Sequence, residues 1–302
     1  MRVGGPALVR MATEALKEML AAWRDVRAAS SAPATLLLVA EPGPVRSRWE
    51  TALDPGLDHP GTLCVAKPGE VLPDADVALV LWSQGPWDEA AADRLSRSLE
   101  TRLPRLVLLP HANEIDLAVM ARRAARVAGV AREDVLVGQD PGPAADHVAT
   151  LLARLVPDHG VALARQFTLL RRPLAWREVT ATAKQNAMVG ALPLPGADMP
   201  LMTANQVKMV LRMAAMHDLP IQLERLQELL AVLGAGLGWR TAARQLAKLV
   251  PGPGWLVAGG LGYAGTVAMG RLALTWFQQQ APVRRLSVAS LEGDTDEGQG
   301  LS

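Results

Sequence analysis

The sequence has a single cysteine, Cys64, which excludes an internal disulfide framework and a cysteine-rich zinc site. That scarcity makes a reducing cytoplasm the expected setting. An excess of one charge is also missing. The 31 Lys and Arg stand against 30 Asp and Glu, a net charge of +1. With no basic field, and no stripe of Lys and Arg interleaved with aromatics, nucleic acid is not an expected partner. The histidines, His59, His111, His147, His159 and His217, are not spaced as metal ligands. Neither Gly-x-Ser-x-Gly nor His-Glu-x-x-His occurs. The early stretch ALVRMATEALKEMLAAWRDVRAA carries charge throughout, so it lacks the apolar run of a signal peptide.

What is present divides by texture. The chain has 302 residues, 50% apolar and 20% charged, enough for one large or two ordinary domains with a sizeable core. In residues 1–32, Leu16, Met19, Leu20 and Trp23 recur at helical spacing, predicting an amphipathic helix that docks on the protein, on a membrane surface or on a partner. After the break at Ser30–Pro33 come short runs rich in Val and Leu: TLLLVA (35–40), TLCVA (62–66), DVALVLW (76–82), RLVLLP (105–110) and DVLVG (134–138). Helical segments separate them, at Arg46–Leu53, Trp87–Arg102, Glu114–Ala128 and Ala144–Leu155. Near-continuous apolar strands alternating with helices predict an α/β unit over 33–157, a doubly wound, mostly parallel sheet covered on both faces. Strand signals vanish beyond Pro157, so 158–281 reads as an all-α, Gly-rich helical domain. The polar, acidic tail 282–302 reads as disordered.

TLLLVAEPGPVRSRW (35–49) is laid out as a strand feeding a phosphate-binding loop. Such a loop needs Gly-x-x-x-x-Gly-Lys-[Ser/Thr], and those positions fall on Ala40, Val45, Arg46 and Ser47. Only the hydroxyl is kept. Pro42 and Pro44 each remove an N–H that would point at phosphate. Val45 sets a β-branched side chain where glycine lets the backbone approach a ligand. Arg46 replaces a compact ammonium by a planar fork. If nucleotide binds at all, Arg46 and Ser47 are the residues left to hold it.

The order of these strands and motifs resembles a Ras-like GTPase domain in its bacterial Era/TrmE-like form. In that family an Asp-x-x-Gly after the third strand helps hold Mg²⁺. The matching stretch here is VAKPGE, with Ala66 at the Asp position and Pro68-Gly69 retained. The family reads guanine with Asn-Lys-x-Asp; here the match is Pro110-His111-Ala112-Asn113, and Asn113 with Asp116 does not restore the spacing. The resemblance therefore implies a pseudo-GTPase domain that keeps the fold without the chemistry.

The stretch ALPLPGADMPLMTANQVKMVLRMAAMHDLPI, with the later GAGLGW and LVPGPGW, resembles the bacterial YcjF-like family of unknown function over about 189–279. Members are found with GTPase domains and several look membrane-associated; the resemblance supplies no catalytic residue. Independently, no charged side chain occurs from Gly252 to Gly270. As helix, Trp255 to Trp276 spans about 31 Å, close to a hydrocarbon core of about 30 Å. Trp255 and Trp276 suit interfacial belts, and Arg271 could snorkel. Gly254, Ala258, Gly262, Thr266 and Gly270 recur every four residues as a close-packing face, for which GAGLG (234–238) is a plausible partner. Three forms of bilayer contact fit this run, spanning, hairpin-inserted and peripheral; the other reading is a buried helix of a soluble bundle. Asp198 is placed to N-cap a helix, and Met199, Met202, Met209, Met213 and Met216 read as adaptable core.

The expected protein is therefore non-catalytic, cytoplasmic and membrane-associated, with no cofactor and no metal. Its expected partners are a membrane surface or bilayer, and a protein or second copy met through Gly-rich helices. The alternatives are a divergent GTPase binding GTP with Mg²⁺ through Arg46 and Ser47, and a soluble helical scaffold.

Overall fold

A computed structural model describes residues 17, 20–21, 23–28, 33–56, 58–82, 89–98, 103–110, 114–138, 140–191, 198–219 and 254–280. The expectations for the tail 282–302 and for GAGLG (234–238) lie outside the described residues.

Each of the five apolar runs forms a strand: β1 (Leu36–Val39), β2 (Leu63–Ala66), β3 (Val77–Leu81), β4 (Arg105–Leu109) and β5 (Val135–Val137). They make one five-stranded sheet in the order β2-β1-β3-β4-β5, and every pairing is parallel. Between them run α1 (Pro44–Ala52), α2 (Glu89–Ser98) and α3 (Glu114–Ala128), with α4 (Pro141–Leu155) after β5. Side chains alternate across a strand, so β1 sends Leu36 and Leu38 to one face and Leu37 and Val39 to the other. All four are buried, as a parallel sheet covered on both sides requires. Leu95 of α2 and Ala124 and Ala128 of α3 cover the second face. Trp49 of α1 and Val148 and Leu152 of α4 cover the first. Each leucine so buried stabilises the fold by about 1.5–3 kcal/mol.

The rest of the described chain is helical: α5 (Gly160–Gln166), α6 (Thr168–Ala191), α7 (Asp198–Met216) and α8 (Gly254–Gln280). This bundle stands behind α4. α6 is its centre and contacts α4, α5, α7 and α8. Met209, Met213 and Met216 are buried in it. Asp198 begins α7, but its side chain lies outside the described residues. The apolar cluster on the first sheet face continues without a break through Phe167 to Phe277 of α8.

The helical residues 23–28 lie against this core. Val26 is buried, Trp23 packs on the cluster, and Asp25 pairs with Lys208 of α7 at 3.9 Å. Leu16 and Met19 lie outside the described residues.

Candidate functional site

In a doubly wound sheet the ligand crevice opens at the C-terminal strand ends, where successive crossovers leave in opposite directions. That point lies at β1, which has β2 on one side and β3 on the other. The structure brings two of the stretches picked out in the sequence to this edge. The Ala40 N–H donates to the Ala66 carbonyl at 3.0 Å, so the start of the would-be phosphate loop sits beside the position of the would-be metal-binding Asp. Ala66 is buried and offers only a methyl group. After it, the chain turns back sharply. Gly69 has φ of +94°, and a Cβ there would lie 3.0 Å from the Arg94 side chain. Glu70 accepts a hydrogen bond from the Lys67 N–H at 2.8 Å, which closes the turn on itself. His111–Asn113 and the segment 83–88 after β3 lie outside the described residues; Asp116 is exposed on α3.

The connection from β1 to α1 is short. Helix α1 starts at Pro44 with Gly43 as N-cap, so Arg46 and Ser47 belong to its first turns and not to a loop. Both are committed locally. Arg46 Nε donates to Glu50 Oε1 at 2.7 Å, an i,i+4 ion pair. Ser47 donates its backbone N–H and its hydroxyl to the same acceptor, the Gly43 carbonyl, at 3.0 and 3.3 Å. Pro44 has no N–H to offer. Arg48 pairs with Asp140 at 3.1 Å and so ties α1 to the start of α4. Among the described residues no His, Cys, Asp and Glu cluster could hold a metal ion.

The second predicted site, the small-residue face of α8, packs against α6. At Gly262 a Cβ would lie 2.7 Å from the Asn186 carbonyl oxygen, and at Gly259 one would lie 2.9 Å from the Ala187 oxygen. At Gly190 of α6, a Cβ would lie 2.9 Å from the Ala258 oxygen. At Gly270 it would overlap the Val179 side chain. The two helices therefore run antiparallel with their backbones close.

Along the expected stripe Gly262, Thr266 and Gly270 are buried, but Ala258 is not. That residue is exposed and its neighbour Gly259 is buried. A four-residue step overshoots a 3.6-residue turn by about 40°, so a strict repeat drifts off any one face. Gly254 and Trp255 are within α8, but their surroundings lie outside the described residues. Trp276 is half-buried, edge-on to Phe277 at 5.2 Å between ring centres. A spanning role for α8 is not met: among the described residues no helix is long and apolar enough to cross a membrane.

Two groupings were not foreseen from the sequence. At the contact of α6, α7 and α8, the Thr266 hydroxyl accepts from Asn186 Nδ2 at 2.9 Å and Gln206 Nε2 at 3.0 Å, and donates to the Gly262 carbonyl at 2.8 Å. Asn205 donates to Asn186 Oδ1 at 2.9 Å. The polar residues Asn186 and Gln206 break apolar helical patterns, and that was the available signal. The other grouping is Arg271 with Trp176, the guanidinium carbon 5.5 Å from the ring centre.

Comparisons with known protein families, with curated proteins and with solved structures return no match. The site must be read from its own chemistry. Among the described residues, the strand edge carries a buried methyl at Ala66, the prolines Pro42 and Pro44, and the Arg46 cation paired with Glu50.

Proposed function

We propose that this chain is a non-catalytic, membrane-associated protein. Its α/β unit is a GTPase-like frame without nucleotide chemistry, used as a recognition module. Its helical unit, of YcjF-like character, docks peripherally on a membrane surface. The observation that carries the first part is the opening of α1, where Arg46 turns to Glu50 and Ser47 turns to the Gly43 carbonyl. A triphosphate there would have to displace both interactions and would still meet Pro42 and Pro44 where amides are needed. The reading is tested by titrating the full chain with a fluorescent GTP analogue and Mg²⁺. No saturable signal is expected, and saturable binding in the micromolar range would overturn it.

Support for docking comes from the bundle's exposed side. Helix α8 carries Arg271 as its single charged residue and no carboxylate. It leaves Leu272 67% and Tyr263 40% exposed, on different sides of the helix. Helix α6 adds Arg171, Arg172, Arg177 and Lys184 against one carboxylate, Glu178. Apolar side chains beside unbalanced positive charge suit an anionic lipid surface. Flotation with anionic vesicles, but not with phosphatidylcholine alone, is the expected result. A chain that stays with the soluble fraction in both would end the docking reading.

A further inference from the structure

Away from the strand edge, a cleft of about 700 Å³ lies between α4, α6 and α8. Its size is that of a small-molecule site. Leu169, Pro173, Trp176 and Leu274 give it an apolar lining. Arg172 of α6 and Arg271 of α8 bring two guanidiniums to it from different helices. Neither forms an ion pair among the described residues. Other arginines of the bundle differ: Arg171 donates to the Ala164 and Arg165 carbonyls, and Arg212 of α7 pairs with Glu178 of α6 at 3.0 Å. Asp146 of α4 also lines the cleft, so one carboxylate faces two cations and the balance stays positive. The Trp176 ring lies under Arg271, which holds that guanidinium in place and leaves its N–H edge available.

We propose that this cleft binds a phosphate group carried on an apolar body, with Arg172 and Arg271 as the phosphate ligands and Trp176 beneath the apolar part. Two planar forks suit phosphate oxygens, and each can donate in bidentate fashion. Thr275 and Gln278 at the rim add neutral hydrogen-bonding groups. The phosphate can belong to a lipid headgroup or to a soluble phosphate ester, since both present the same oxygens. The inference rests on the docking reading only for the lipid source.

The test uses the full chain in two arms. One measures binding to phosphatidylcholine vesicles with and without phosphatidic acid. The other measures binding of glycerol 3-phosphate by calorimetry. Each is repeated with the double substitution R172Q/R271Q and with R177Q/K184Q, which removes equal charge from α6 alone. Arg172 and Arg271 are exposed, and circular dichroism of both variants checks that they fold. The expected result is a loss of about tenfold or more with R172Q/R271Q in whichever arm shows binding, and little change with the control. Loss in the vesicle arm assigns a lipid, and loss in the calorimetric arm alone assigns a soluble ester and ends the docking reading while the cleft assignment stands. Vesicle binding that R172Q/R271Q does not weaken, or that both variants weaken equally, overturns the cleft and leaves docking intact. No binding in either arm overturns both.

Discussion

His217 is a buried imidazole between the end of α7 and α8. Its Nδ1 lies 2.8 Å from the Met213 carbonyl, and its ring stacks on Phe277 at 5.5 Å between centres. Burial pushes its pKa below the ordinary imidazole value; the Met213 hydrogen bond opposes this, and the charge of Arg171 adds to it. In the unfolded chain the ring takes a proton below about pH 6.5. Between that value and the lower folded pKa, the unfolded state holds a proton that the folded state does not. Stability then rises with pH. This contribution is complete above about pH 6.5 and is lost as the solution is acidified below it. Urea midpoints compared at neutral and mildly acidic pH check the direction, and His217→Phe should flatten that part of the dependence. Thr266 offers a second test at this scale. Thr266→Val keeps the shape but removes the acceptor shared by two amides, at a cost of about 1–3 kcal/mol, whereas Thr266→Ser should retain most of the stability. Chemical denaturation of the three proteins measures both effects.

At the scale of elements, the glycines of α8 divide by what faces them. Gly262 meets the α6 backbone and the Met202 side chain, while no atom lies near the Cβ position of Gly260. Gly262→Ala should therefore destabilise by about 1–3 kcal/mol through overpacking. Gly260→Ala should stabilise by about 1 kcal/mol through helix propensity alone. Opposite shifts in melting temperature for the two variants are expected; shifts of the same sign would mean that α8 does not pack on α6 through this face. The strands were readable in the sequence because a parallel sheet buried on both sides leaves its signature within each strand. TLLLVA and RLVLLP needed no partner to be recognised. The helical half was less readable because its partners are far apart in sequence. The face of α8 was visible at Gly262, Thr266 and Gly270, but nothing local to it identified α6, some eighty residues earlier, as the helix it meets. The pairing of Arg172 with Arg271 was hidden for the same reason. Arg271 stood out only as a charge near the end of an apolar run, Arg172 not at all, and only the fold brings them to one cleft.

For the whole molecule, the continuous apolar cluster matters most. It includes Leu36 and Leu108 of the sheet, Leu152 of α4, Leu174 of α6 and Phe277 of α8. Exposing the bundle's share would uncover the sheet face beneath α4. A single cooperative transition is expected in calorimetry, with near- and far-ultraviolet circular dichroism coincident. Two resolved transitions would show that the α/β and helical units fold separately. The strand-edge stretches belong to this scale too. Their departures from a phosphate-loop pattern were apparent from residue types, but how Arg46 and Ser47 are committed depended on α1 starting at Pro44.

The hydrogen-bonded group around Thr266 also bears on how α8 finds its place. A face of glycine and alanine is nearly smooth, and sliding it by a turn along another such face changes little in packing. The polar group removes that freedom. In any shifted alignment Thr266 would leave Asn186 and Gln206, and buried amides would lose their acceptor. The threonine thus acts as a notch on an otherwise featureless rail, selecting one alignment of α8 from several that apolar contact alone would leave almost equal in energy.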